Sequence, residues 1–318
     1  MKKLILKLGV YSFLIVISLE VLVRIFYLGE DKPSRFVDDK KVEKWIPGQV
    51  GYSITGNRNQ NFIRYNINSS GFNSYQEFEP TKDGFEVALV GDSFIEGFHQ
   101  PYKMSIGRKV EQKFKDRIKV FEYGYSGYDM ADQLHLIDAY KEDFRMIDRI
   151  YIKMKFSNDL NRGEYNVQNE RLKLESPLNK IFKKSKLLVY FSEIGVLSSV
   201  RTWVREKKDI IQNREDKPDK TISNINKDEI YLENFKSLVS LYGYDKNKTV
   251  LLMDESTTSK LFLDYLDNNG FQHIDFGTEI NNSHRKTTLV YDKHWNNYGR
   301  SIIAEIIESD LHKVLGEP

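Results

Sequence analysis

Cysteine is absent from the 318-residue chain. Its absence excludes disulfide staples, thiolate metal sites and a thiol nucleophile, and leaves the redox compartment open. Proline is scarce, with 7 residues against 19 glycines, so the chain is neither collagen-like nor a disordered Pro/Gly linker. An excess of one charge is also missing: 48 Lys and Arg face 46 Asp and Glu, and no global field draws in nucleic acid or a strongly acidic partner. Neither a Gly-x-x-x-x-Gly-Lys-Ser/Thr phosphate loop nor a dinucleotide fingerprint occurs, and repeats and low-complexity tracts are lacking. What remains is a globular composition, 40% hydrophobic and 30% charged, long enough for one large domain or two small ones. No cofactor or metal is inferred, and function has to come from a local site.

The first stretch differs from the rest. Lys2, Lys3 and Lys7 precede an almost wholly apolar run, Leu8 to Leu28, whose only ionisable side chains are Glu20 and Arg24 besides its tyrosines. A positive start followed by about 20 apolar residues can cross a bilayer as a helix. Glu20 and Arg24 are spaced to pair on one helix face. A cleaved signal peptide and a buried core helix are the other readings, but bulky Ile25, Phe26 and Tyr27 stand where a small-x-small cleavage site would. The expectation is an uncleaved signal anchor over 1–29, with the N-terminus in the cytoplasm and the rest of the chain outside.

From 30 to 84 the chain is polar and aromatic and reads as a stem with small lead-in strands such as Asn61 to Ile67. Beyond Gly84, strand signals at Glu86–Val90, Lys119–Glu122, Arg149–Lys153 and Thr249–Met253 alternate with helical spacing at Met104–Lys115, Met130–Lys141, Ser256–Asn269 and Asn297–Leu311. Such alternation predicts an α/β domain over 85–318, with a parallel sheet covered on both faces. Ligands of such sheets sit at the carboxyl ends of the strands.

Four of those ends carry chemistry-bearing residues. The first strand stops at Gly91-Asp92-Ser93, where a hydroxyl can project into a cleft, although Asp and Ser there also serve as turn formers and helix caps. The second runs into Tyr123-Gly124-Tyr125-Ser126-Gly127, whose glycines allow close backbone approach, and then Asp129, which reads as a helix cap. The third ends in Ser157-Asn158-Asp159, placing an amide at the same edge, a position that ordinary turns also fill. Finally Asp292-Lys293-His294-Trp295-Asn296 sets a carboxylate two residues from an imidazole, where the acid can fix the tautomer of a base. Asp129, Asp132 and His135 share a helix face, but no fourth metal ligand is evident and a solvated face explains them.

Taken in order, Gly91-Asp92-Ser93, Gly127, Asn158-Asp159 and the Asp-containing motif with His294 resemble the blocks of the SGNH/GDSL hydrolase superfamily over roughly Asn66 to Leu311. Asn68-Ser69-Ser70-Gly71-Phe72 is similar to a lead-in found in membrane-anchored members. The resemblance implies a flavodoxin-like three-layer α/β/α sandwich, Ser93 as nucleophile, His294 as general base and Asp292 as its orienting acid. It also implies an oxyanion hole from the N–H groups of Ser93 and Gly127 and the side chain of Asn158. Two positions depart from the pattern. Tyr291 stands where the family's acid usually lies, three before the His, and Asp292 stands two before it, as in SGNH-like polysaccharide O-acetyltransferases; Glu122 replaces a frequent Asn.

Residues 162–244 form an insertion. Leu178 to Tyr190 is basic and amphipathic, and reads either as a helical element with a solvated basic side or as a lipid-binding one. Arg214 to Asn226 reads as a mobile loop, and the insertion together with Trp295 is the candidate cleft for an acceptor. Three functions are compatible with the pattern: a serine esterase or deacylase of an acylated extracytoplasmic glycan, lipid or cell-wall component; an O-acyltransferase of a cell-surface polysaccharide; and a non-catalytic glycan-binding module. The expected partners are the acylated substrate and the membrane, and not nucleic acid.

Overall fold

A computed structural model describes residues 2–55, 61–196, 227–290 and 292–316. In chain order its elements are helix α1 (Lys2–Ile25), strands β1 (Arg35–Val37), β2 (Glu43–Trp45), β3 (Val50–Thr55), β4 (Asn61–Asn66) and β5 (Phe85–Gly91), and helices α2 (Ser93–Glu96) and α3 (Ile106–Lys113). Next come β6 (Ile118–Gly124), α4 (Met130–Ala139), α5 (Lys141–Met146), β7 (Arg149–Lys153), α6 (Phe156–Asp159), α7 (Asn169–Leu172), α8 (Pro177–Lys184) and α9 (Lys186–Glu193). The chain continues through α10 (Lys227–Tyr242), β8 (Thr249–Met253), α11 (Lys260–Asn268), β9 (Gln272–Asp275), α12 (Gly277–Asn281) and α13 (Asn297–Leu315). Two units divide it: residues 1–32, 51–62 and 169–223, and residues 33–50, 63–168 and 224–318.

In the first unit α1 is a 24-residue helix long and apolar enough to cross a membrane. Its large side chains, Leu4, Leu8, Phe13 and Ile15 among them, point outward. A helix apolar all round and left uncovered suits lipid better than water. Glu20 and Arg24 pair as their spacing predicts, at 2.6 Å, and they also bind the α8–α9 junction. The Glu20 carboxylate accepts from Ser185 Oγ, Lys186 N and Leu187 N at 2.9–3.0 Å, satisfying orphan donors at the start of α9. Arg24 donates to Lys184 O at 2.8 Å, at the end of α8. The basic stretch Leu178 to Tyr190 is thus helical, broken at Ser185, and α8 buries none of its residues. The expected loop Arg214 to Asn226 lies outside the described residues.

The second unit is built on a five-stranded parallel sheet in the order β6-β5-β7-β8-β9. β5 reads as a continuous apolar run because both its faces are covered. Successive side chains of a strand point to opposite faces, and so Ala88 and Val90 join one core with Phe121, Ile150, Leu251, Phe235 and Phe262. Val87 and Leu89 join another with Val120, Tyr151, Val110, Ile303 and Ile307. α4, α10 and α11 therefore cover one face and α3 and α13 the other, giving a three-layer α/β/α sandwich. Val42, Trp45, Tyr65, Ile67, Phe72 and Phe78, from the segment before β5, add to the first core.

Some elements differ from expectation. β9 is a half-buried edge strand of polar sequence, Gln-His-Ile-Asp, that carries no strand signal. The helix expected over Met130–Lys141 breaks at Tyr140, whose hydroxyl is held by Lys44 Nζ at 2.5 Å and by Asp38. Asp129 and Asp132 are not on a solvated face: they form a capping box at the start of α4, and both bind Arg162, at 2.7 and 2.9 Å. His135 stacks on Tyr165 with ring centroids 3.9 Å apart.

Candidate active site

Two glycines place the nucleophile candidate. Gly91 and Gly124 are register partners at the ends of β5 and β6, and α2 lies directly on them. A Cβ on Gly124 would come within 2.1 Å of Glu96 N, and one on Gly91 within 2.5 Å of Ile95 Cγ1. Only glycine lets the chain fold back over the strand ends so closely. Asp92 caps α2, its Oδ1 accepting from Phe94 N at 3.0 Å, while Oδ2 accepts from the buried Lys153 Nζ at 2.8 Å. This leaves Ser93 as the first residue of α2, half-buried, with a backbone N–H of the kind a helix start leaves without an intrahelical acceptor.

His294 reaches Ser93 from 201 residues away, its Nε2 lying 2.6 Å from Ser93 Oγ. The loop that carries it is fixed on both sides. Leu289 N donates to His294 O at 2.9 Å, and Asn296 caps α13 through Tyr298 N and Gly299 N, both at 2.9 Å. Asp292 Oδ1 accepts from the Nδ1 side of the His294 ring and from His294 N, the latter at 2.7 Å. Burial by itself would raise the Asp292 carboxyl, but the hydrogen bonds and charge of His294 outweigh it and hold the group below its ordinary value. Serine, imidazole and carboxylate thus form one hydrogen-bonded line, although the acid stands two residues from the histidine.

The oxyanion-hole candidates stand on the strands that flank β5. Gly127 follows β6 in the left-handed region, with φ +88°. Asn158 lies on α6, just after β7, exposed, with Nδ2 donating to Asp159 Oδ1 at 3.2 Å. An amide nitrogen has two hydrogens, so this bond leaves one for an incoming ligand. Asp159 is fully buried, and burial raises its carboxyl to about 6.

Glu122, the departure in the second block, has a local task. Its buried carboxylate accepts from Gly107 N at 3.0 Å in the first turn of α3, and burial pushes it up to about 7. Trp295, expected in an acceptor cleft, is instead 4% exposed and packs edge-on against Phe94 and Phe276. Its backbone forms an isolated antiparallel bridge with Thr288.

Two residues escaped the sequence reading. Glu96, 3% exposed, accepts from Trp45 Nε1 at 2.7 Å and from Ser126 Oγ, and burial raises it to about 7. His99 lies with its ring 3.8 Å from that of His294, centroid to centroid. Its only signal is a histidine six residues after the nucleophile candidate Ser93. One ligand atom each from His99, Asp292 and His294 lies within 4.8 Å of the others. Both nitrogens of His294 are engaged, however, by Asp292 and Ser93, so a cation there would have to displace one of these contacts.

No family model matches the chain, and no curated protein matches it either. Among solved structures, it is similar to the lipase/acylhydrolase from Enterococcus faecalis, at 11% identity and TM-score 0.42, over 72% of this chain and 96% of that one. It is also similar to a member of the lipolytic protein G-D-S-L family from Veillonella parvula, at 13% identity and TM-score 0.36, over 71% and 97%. A third is the psychrotrophic esterase from a Pseudoalteromonas species, at 10% identity and TM-score 0.41, over 73% and 99%. What this site can do follows from its own geometry.

Proposed function

We propose that the chain is a serine-dependent ester hydrolase anchored in a membrane by α1, acting outside the cytoplasm on an acylated glycan, lipid or cell-wall component. The observation that carries this reading is the 2.6 Å contact between Ser93 Oγ and His294 Nε2, with Asp292 on the opposite nitrogen. Ser93 Oγ attacks the ester carbonyl while its proton passes to His294 Nε2, and Asp292 stabilises the imidazolium. The oxyanion that forms is met by the N–H groups of Ser93 and Gly127 and by the Asn158 amide. Collapse breaks the bond to the leaving alkoxide, which takes the proton from His294. Water then attacks the acyl-Ser93 ester with His294 again as base, releasing the acid and free Ser93. Lys2, Lys3 and Lys7 ahead of the apolar run support an orientation with the N-terminus inside.

Reaction of the full chain in detergent with a fluorophosphonate probe tests this reading. The expected result is one adduct, mapped by mass spectrometry to Ser93 and lost in Ser93→Ala. A folded chain that forms no adduct would leave only the non-catalytic glycan-binding module. The Asp292-x-His294 spacing favours a second reading, O-acyl transfer to a polysaccharide hydroxyl through the same acyl-Ser93. Leaving-group release that speeds up with a glycan acceptor and yields acylated glycan would select transfer; acceptor-independent release of free acid would select hydrolysis.

A further inference from the structure

His99 lies outside the Ser93, His294, Asp292 line but touches two of its members. Its ring is stacked on His294 with centroids 3.8 Å apart and planes 28° from parallel. Its Nδ1 lies 4.0 Å from Asp292 Oδ2, while Oδ1 of the same carboxylate takes both His294 contacts. Phe94 packs on His294 as well, with centroids 4.6 Å apart and planes tilted by 38°. The proposed base is therefore in contact with two rings. A histidine loop without such neighbours could swing about its χ angles, and a small rotation would carry Nε2 off Ser93 Oγ.

We propose that His99 is a positioning residue of the reaction: stacked on His294 and facing the free edge of Asp292, it fixes the plane of the base and accommodates the imidazolium that forms when Ser93 gives up its proton. The inference rests on the reading of Ser93 as nucleophile and His294 as base. Its electrostatics require a neutral His99, since a second cation 3.8 Å from the imidazolium would oppose its formation. The surroundings supply that condition. Burial, and then the charge of His294, lower His99 to about 4, with Arg300 acting in the same direction and Asp292 against it. At neutral pH, His294 can then take its proton beside an uncharged aromatic face, an arrangement that favours a cation.

The test compares wild type with His99→Ala, His99→Phe and His99→Gln in the full chain in detergent, using fluorophosphonate labelling rate, kcat and KM for a small chromogenic ester, and the denaturant midpoint. His99→Ala should slow labelling and kcat together by about ten- to fiftyfold, with KM changed less than about threefold, the pattern of an interaction made in the transition state. His99→Phe, which restores the stack without a charge, should recover most of the loss. His99→Gln fills the space without a ring and should stay slow, and it replaces the alanine variant if that chain does not fold. Labelling and kcat at wild-type levels in His99→Ala or His99→Gln would overturn the inference while leaving the nucleophile assignment intact. So would a lowered denaturant midpoint with unchanged rates per folded molecule. Absence of labelling in wild type would instead overturn the reading on which it rests.

Discussion

Replacing Glu96 by Gln should make the protein more stable at alkaline pH and leave it unchanged at acid pH. Glu96 sits on α2 three residues after Ser93, 3% exposed, with Trp45 Nε1 and Ser126 Oγ donating to its two oxygens. Burial raises its carboxyl from the ordinary 4.5 to about 7. The folded state therefore holds this proton more tightly than the unfolded chain, and stability is fullest below pH 4.5. It falls as pH rises between 4.5 and about 7, where the folded protein carries the extra proton, and stays reduced above. At about 1.4 kcal/mol per pH unit, the interval corresponds to at most about 3.5 kcal/mol, and we expect roughly 1–3 kcal/mol after relaxation around the charge. A glutamine is uncharged like the protonated acid, and its oxygen can still accept from Trp45 Nε1. Urea unfolding of the full chain in micelles, followed by tryptophan fluorescence at pH 5 and pH 8.5, measures the effect. Glu122, raised to about 7 by the same cause, titrates in both proteins, so the quantity to read is the difference between variant and wild type. A difference that does not grow from pH 5 to pH 8.5 would refute the reasoning, and so would a glutamine variant weaker than wild type at both.

Asp292→Asn should lower kcat by about 10²–10⁴-fold with the fold intact, because an amide cannot both orient Nδ1–H and neutralise the imidazolium; nearly full ester turnover in that variant would move the acid's role elsewhere. Protease added to intact spheroplasts should degrade the region after α1, and alkaline carbonate should fail to strip the chain from membranes. A protected domain would reverse the orientation, and a soluble, shortened product would indicate cleavage.

The parts of the fold legible in the sequence are those where burial is two-sided or a cap is local. Val87 to Val90 and Val250 to Met253 read as strands because both their faces are buried, and Asp129 announces α4 because its capping partner lies three residues on. The polar edge strand β9 has one neighbour and no apolar run, and so leaves no mark. That Ser93, Asp292 and His294 come together is legible because each sits at a strand end or just before a helix, where motif order stands in for geometry. His99 and Glu96 are placed by contacts with partners 195 and 51 positions away, and no local spacing encodes those. Trp295 shows the opposite failure: its place beside His294 suggests a cleft, yet it is buried and packs against Phe94 and Phe276.

The proposed nucleophile and its proposed base are separated by 201 residues, and this distance sets a schedule for the molecule's own synthesis. A ribosome adds about 5–20 residues per second, so a nascent chain that already displays Ser93 waits on the order of 10–40 s for His294 to follow. During that interval the hydroxyl has no base beside it. On the proposed reading, a chain threading into or across a membrane thus carries its reactive loop in an inert form and gains its proton relay only when α13 docks on the face of the sheet that α3 also covers.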